Sequence, residues 1–259
     1  MRLNALTLVI CLVFGLLVYG GDFRLLDDAE NRILDLQFRR RGVVAADPRI
    51  VIAGIDQETL AWAARPMFAW GPLYAELTRA VQQASASALL LDLVFSPGSE
   101  TAIRDHVRET GQKLGLDLPQ KFFREIGFEK PFRTALLEFV ASGATLIVGF
   151  AWEKNQPVYS DPTLLHIARR ENTGYFNLAT SRDGVIRNVQ LSAEGPSGPV
   201  HAVAMAAALR SGLCRNEFSA AAFRQISFRG PRSTIRTIPV RRIIEAARAG
   251  QSLADELAG

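Results

Sequence analysis

Cysteine is nearly missing from this chain: its 259 residues include only Cys11 and Cys214. Cys11 sits inside an apolar run, so no stabilising disulfide is on offer and the fold must rest on its hydrophobic core. Histidine is almost as scarce. His106, His166 and His201 lie far apart and form neither an HxxxH nor an HExxH pattern, which removes the sequence basis for a zinc site. G-x-S-x-G, G-x-x-x-x-G-K-[ST] and a G-x-G-x-x-G following a strand are absent as well, so acyl-transfer, nucleoside-triphosphate and dinucleotide chemistry lack their usual marks. The sequence therefore predicts no catalytic residue, no metal and no cofactor. A net charge of +4 is spread among scattered arginines and acids, without an aromatic-interleaved basic stripe, which argues against a nucleic-acid partner.

What the chain does have begins with one apolar run of membrane length. Leu3 to Gly21 carries no charge and is broken only by Asn4 and Thr7. At about 1.5 Å per residue it just spans a hydrocarbon layer of roughly 30 Å. Residues 1–21 read either as an uncleaved transmembrane signal anchor or as a signal peptide cut near Val18 to Gly20. The anchor is the better fit, because the run exceeds the roughly 7–15 residues of a signal h-region and no A-x-A site follows. Ile10 before Cys11 argues against a lipoprotein. Arg2 precedes the run while Asp22, Asp27 and Asp28 follow it. The expected placement is single-pass in the inner membrane, with the main domain extracytoplasmic.

Residues 22–41 show Leu25, Leu26, Ala29, Ile33 and Leu36 at spacings of three and four, the pattern of an amphipathic helix. Its apolar face either joins two subunits as a homodimer or packs on its own domain. The cluster Arg39 to Arg41 reads as a solvated helix end that suits the dipole.

From residue 42 to 259 the pattern is α/β, predicting a mixed, largely parallel sheet with flanking helices and an added β-hairpin. Ile50, Val51, Ile52, Ala53 and Ile55 leave no polar alternation, so this strand reads as buried on both faces. Asp56 ends it, and a short helix, Gln57 to Ala64, follows. After a loop through Pro66, Gly71 and Pro72 comes a helix from Leu73 to Gln83, then a second strand, Ala88 to Phe95, containing Asp92. Strand, helix, strand in this order calls for a parallel pair. Residues 96–128 break the rhythm and read as a surface insertion. A helix over Lys130 to Val140 and a strand over Thr145 to Phe150 restore it. Gly174 to Ala179 and Val185 to Ser192 flank Arg182-Asp183-Gly184, which reads as a hairpin with a structural Asp183–Gly184 turn. A helix over His201 to Ser211, a strand over Ile226 to Arg229 and a helix over Pro239 to Ala249 complete the body, with a polar helical end from Gln251.

Asp56 and Asp92 lie at or near the ends of predicted neighbouring strands, at the sheet edge where open α/β folds bind ligands. With Arg187 they could hold a small polar ligand or a cation. In the competing reading Asp56 caps the helix at Gln57 and Asp92 is held by an arginine as a buried pair. Trp62, Phe68, Trp70 and Tyr74 form a dense aromatic patch that either lines a ligand cleft or closes the core.

Five pieces in this order resemble the type-2 CHASE domain: IVIAGID with its short helix, the loop at Phe68 to Pro72 entering YAELTRAV, LDLVF, GYFNLATSRDGVIRNVQL and FRGPRSTIRTIPVRRIIEA. The resemblance covers most of Asp22 to Ala249. It implies an extracytoplasmic sensory module of a bacterial receptor, binding an unknown small molecule and coupled to a cytoplasmic adenylate or guanylate cyclase, diguanylate cyclase or kinase. None of those outputs is encoded in these residues. Gly71 or Pro72 stands where the family usually has an arginine, Ser181 where it often has an aspartate, and the insertion 96–128 is longer than usual. The family pattern also continues beyond the last helix into another core strand and membrane spans, so the chain is expected to be incomplete at its C-terminus or a divergent stand-alone form. A membrane-anchored scaffold that binds a partner receptor is the alternative function, and a secreted enzyme a distant third.

Overall fold

Arg24–Arg41 forms helix α1, with Asp27 in its first turn and three arginines in its last, an arrangement that complements the helix dipole. The computed structural model describes residues 7–9, 12–13, 15, 24–95, 98–119, 122–123, 127–153, 156–158, 161–195, 198–212, 214 and 223–253. Within them lie two units, one of Met1–Ala46 with Phe228–Thr234, the other of Asp47–Ser227 with Ile235–Gly259. Among the described residues no helix is long and apolar enough to cross a membrane. Most of the run Leu3 to Gly21, on which the anchor expectation falls, lies outside them.

In the first unit, the C-terminal end of α1 is fastened to residues 228–234. The Phe38 ring meets Phe228 edge-on at 5.7 Å, and the Arg41 guanidinium lies 4.9 Å from the centre of the Phe38 ring. Arg41 donates to the Phe228 carbonyl, and the Val44 amide donates to the Arg229 carbonyl at 2.7 Å. Ile33 and Leu36, three residues apart on one side of α1, stay 57% and 64% exposed.

The second unit begins with strand β1 (Val51–Gly54) and helix α2 (Gln57–Ala63), then helix α3 (Gly71–Gln83), strand β2 (Ala88–Leu91) and helix α4 (Ser99–Lys113). Next come helix α5 (Glu129–Ala141), strands β3 (Thr145–Glu153) and β4 (Gln156–Val158), helix α6 (Pro162–Ala168) and strand β5 (Thr173–Tyr175). Strands β6 (Asn188–Gln190), β7 (Ser192–Gly195) and β8 (Gly198–His201), helix α7 (Val203–Arg210), strands β9 (Phe223–Gln225) and β10 (Arg236–Pro239) and helix α8 (Val240–Arg248) follow.

Parallel pairs form, but not the one expected from the order strand, helix, strand: among the described residues β1 pairs with β10 and β2 with β3, not with each other. Strand β3 lies between β2 and β5, parallel to both, with β4 folded back on its far end. Helices α3 and α5 pack together, and their inward residues Leu73, Tyr74, Phe132 and Leu136 meet Leu146 and Val148 of β3 and Leu164 and Ile167 of α6. Trp70, fully buried, completes this cluster. The α/β architecture is thus as the hydrophobic periodicity predicts.

Four further expectations are corrected. Strand β1 is not buried on both faces: Ile52 is 43% exposed, because among the described residues only β10 pairs with it and helix α8 packs against it. Its partner β10 escaped the sequence reading, since Arg-Thr-Ile-Pro is a four-residue alternation ending in proline. The segments around Asp183 are strands, but they do not pair with each other: β5 joins β3, and β6 pairs with β9, which lies just before the predicted Ile226 to Arg229. The hairpin is instead β7–β8, pairing Ser192 with His201. Finally, Gln251 to Leu253 is not helical, and residues 254–259 lie outside the described set.

Candidate functional site

A cavity of about 210 Å³ opens where the chain leaves β2. Leu93, Val94 and Phe95, the residues that follow that strand, form one wall, so the site occupies the C-terminal sheet edge where open α/β folds bind ligands. Tyr74 comes from α3 and Phe132 from α5. The three rings Tyr74, Phe95 and Phe132 pack on one another with centres 5.3–5.7 Å apart, within the range of favourable aromatic pairs. Met67, Phe68 and Phe128 line the same space. Burial pushes the Tyr74 phenol up to about 12, so it stays protonated at physiological pH.

One end of the cavity is charged. Arg133 Nη2 donates to Glu129 Oε2 and to Asp161 Oδ2, each at 2.8 Å. Three helix starts hold these groups in place. Asp161 caps α6 by accepting from the Thr163 amide at 2.8 Å, and its own amide donates to the Phe95 carbonyl at 2.9 Å. Glu129 and Glu100 cap each other's helices: the Glu100 amide donates to Glu129 Oε1 at 3.0 Å, and the Glu129 amide to Glu100 Oε2 at 2.9 Å. Glu100 pairs in turn with Arg104 one turn on, at 2.6 Å, just as Glu129 pairs with Arg133. So the insertion helix α4 is bonded to the cavity floor rather than being a detached surface element.

The structure places the residues singled out from sequence elsewhere. Asp56 is the N-cap of α2, accepting from the Thr59 amide at 2.8 Å and the Thr59 hydroxyl at 2.6 Å. Those two bonds, the hydroxyl's first, hold its carboxyl below the usual range. Asp92 follows β2, is exposed, and bonds no described residue. Arg187 is buried at 3% exposure and grips Asp183 through two bonds, Nη1 to Oδ1 at 2.9 Å and Nη2 to Oδ2 at 2.8 Å. Each of the three predicted ligand groups therefore has a setting of its own, and no contact joins them. Trp70, the fourth, is wholly buried, and its indole N–H donates to the Arg65 carbonyl at 2.8 Å. Of the aromatic patch, Phe68 and Tyr74 reach the cavity while Trp70 closes the core behind them.

A turn forms at Asp183–Gly184. The Ser181 amide donates to the Val185 carbonyl at 2.9 Å, and Gly184 has φ 78°, a conformation glycine adopts without strain. Arg187 and the Val185 amide hold the Asp183 carboxyl down at about 2. Since a free aspartate titrates near 3.9, the folded chain resists this proton, and the stabilisation is present above about pH 4 and lost as pH falls toward 2. In acid titrations followed by circular dichroism, Asp183→Asn is expected to remove part of the stability loss between about pH 4 and 2. Identical acid limbs for the two proteins would show that the pair contributes nothing.

The sequence model of the CHASE2 domain matches residues 8–257. The chain belongs to the CHASE2 family. No curated protein and no solved structure matches it. Membership in the CHASE2 family implies an extracytoplasmic sensory module, and nothing in this chain shows an enzymatic activity. Gly71, one of the two positions where the family resemblance places an arginine, lies in close backbone contact with the segment entering α5. A Cβ on Gly71 would fall on the Phe128 carbonyl oxygen, leaving no room for any side chain at that position.

Proposed function

We propose that this chain is the ligand-sensing part of a bacterial transmembrane receptor, and that its ligand occupies the aromatic cavity beside Arg133. The cavity itself supports this reading: it is concave, apolar on most sides, charged at one end and set at the sheet edge. In this reading residues 1–21 anchor the chain in the inner membrane and the body lies outside the cytoplasm. The output is a cytoplasmic adenylate or guanylate cyclase, a diguanylate cyclase or a kinase. A ligand drives such an output only by binding two states of the domain with different affinity. Thermal unfolding with a library of small metabolites tests the sensing. A true ligand at a hundred times its Kd adds about 2.7 kcal/mol of stability. A library that leaves the midpoint unmoved would count against a sensor. An alkaline phosphatase fused at Gly259 tests the placement and is expected to be active; an inactive fusion, paired with a fluorescent cytosolic one, would reverse it.

The exposed stripe Ile33–Leu36 on α1 supports self-pairing of two copies along that helix. Sedimentation of the detergent-solubilised chain is expected to show a dimer that the double change Ile33→Glu, Leu36→Glu converts to a monomer. A monomeric parent chain would exclude the pairing and leave the stripe for a different protein, as the scaffold alternative requires.

A further inference from the structure

The charged end of the cavity is incompletely used, and the unused atoms point to a class of ligand. Arg133 engages Glu129 and Asp161 through a single nitrogen, Nη2. Its Nε and Nη1 donors bond no described residue. Glu129 spends one oxygen on the Glu100 amide and the other on Arg133; Asp161 spends one on the Thr163 amide and the other on Arg133. An ionised carboxylate accepts about four hydrogen bonds, so both retain capacity. Two carboxylates against one guanidinium leave the lining with an excess negative charge, while Glu100 and Arg104 behind it balance each other.

Each simple ligand leaves part of this arrangement unanswered. An anion meets the Arg133 donors but is repelled by the two carboxylates already there. An amine satisfies the carboxylates and leaves the guanidinium edge bare. A neutral apolar molecule fills the aromatic walls and serves neither charge. We infer that the cavity takes a small zwitterion with an apolar side chain, an aliphatic or aromatic α-amino acid. Its ammonium group is held by Glu129 and Asp161, its carboxylate accepts from Arg133 Nη1, and its side chain lies against Tyr74, Phe95 and Phe132. The volume of about 210 Å³ is below the roughly 300–1,000 Å³ of sites for drug-sized ligands, which restricts the ligand to this scale. This inference rests on the cavity being the ligand site.

Isothermal titration of the full chain in detergent micelles tests it with four probes: L-leucine, L-phenylalanine, 2-phenylethylamine and 3-phenylpropionate. At least one amino acid is expected to bind, and both half-molecules at least tenfold more weakly than L-phenylalanine. Arg133→Gln is expected to weaken the amino acid tenfold or more while leaving the amine unchanged. Val94→Trp, at a rim position 42% exposed, is expected to block binding with no change in the unfolding midpoint. Equal affinity for the amine and the amino acid, or full binding by Val94→Trp, overturns the assignment. Should neither amino acid bind while another compound stabilises the parent chain and not Val94→Trp, the zwitterion is wrong and the sensory cavity stands. Silence from every compound tried removes both.

Discussion

Gly71→Ala is expected to cost the domain about 3 kcal/mol or more, at the upper end of the overpacking range, although it adds a single methyl group. At a helix interior the same exchange normally stabilises, since alanine is the better helix former by about 1 kcal/mol. Here the added carbon would fall on a backbone carbonyl, that of Phe128, and not on the movable tip of a side chain. Relief requires the start of α3 to part from the segment entering α5, which pulls apart two walls of the cavity. Urea unfolding of the two proteins measures this, and a stabilised Gly71→Ala would show that the close approach is absent.

Asp161→Ala is expected to have the next largest effect, about 2–4 kcal/mol. Its N-cap on α6 accounts for roughly 1 kcal/mol. The remainder comes from leaving Arg133 without its more buried partner, and at about 1–3 kcal/mol it falls at or below the low end of the roughly 3–5 kcal/mol seen for broken buried pairs because Arg133 is a third exposed. Asp161→Asn separates the two contributions. Asparagine caps a helix about as well as aspartate, so this variant should keep the cap and lose only the charge. If Asn and Ala prove equally damaging, the capping bond is not what holds α6 in place.

Much of the fold could be read from hydrophobic spacing, because local spacing is what decides it. Helices α3 and α5 and strands β2 and β3 carry periods that no neighbour overrules, and the structure returns them within a few residues. Pairing partners are another matter. The Asp183–Gly184 turn is a strong local signal and the turn forms, yet the segments on either side find β3 and β9 because packing of Phe150 and Tyr175 with Met205 decides where they lie. The candidate site was harder still. Glu129, Arg133 and Asp161 come from two helix starts far apart in sequence, and each looks ordinary in its own segment. Their signals were nonetheless present: Glu-x-x-x-Arg occurs at Glu100 and Arg104 and again at Glu129 and Arg133, and Asp161-Pro162 is a helix start. Asp56 took the cap that the competing reading offered it. Trp70 took the core-closing role, one of the two that the aromatic patch allowed.

The parallel pairing of Val51 with Arg236 has a kinetic consequence. The first strand of the body cannot find its partner until Arg236–Pro239 has been synthesised, and closing so long a loop is entropically slow. During translation Val51–Gly54 waits without its mate. A polypeptide whose first strand waits in this way remains threadable, as a chain must be if it crosses a bilayer before it folds, and the arrival of Arg236–Pro239 completes the pair.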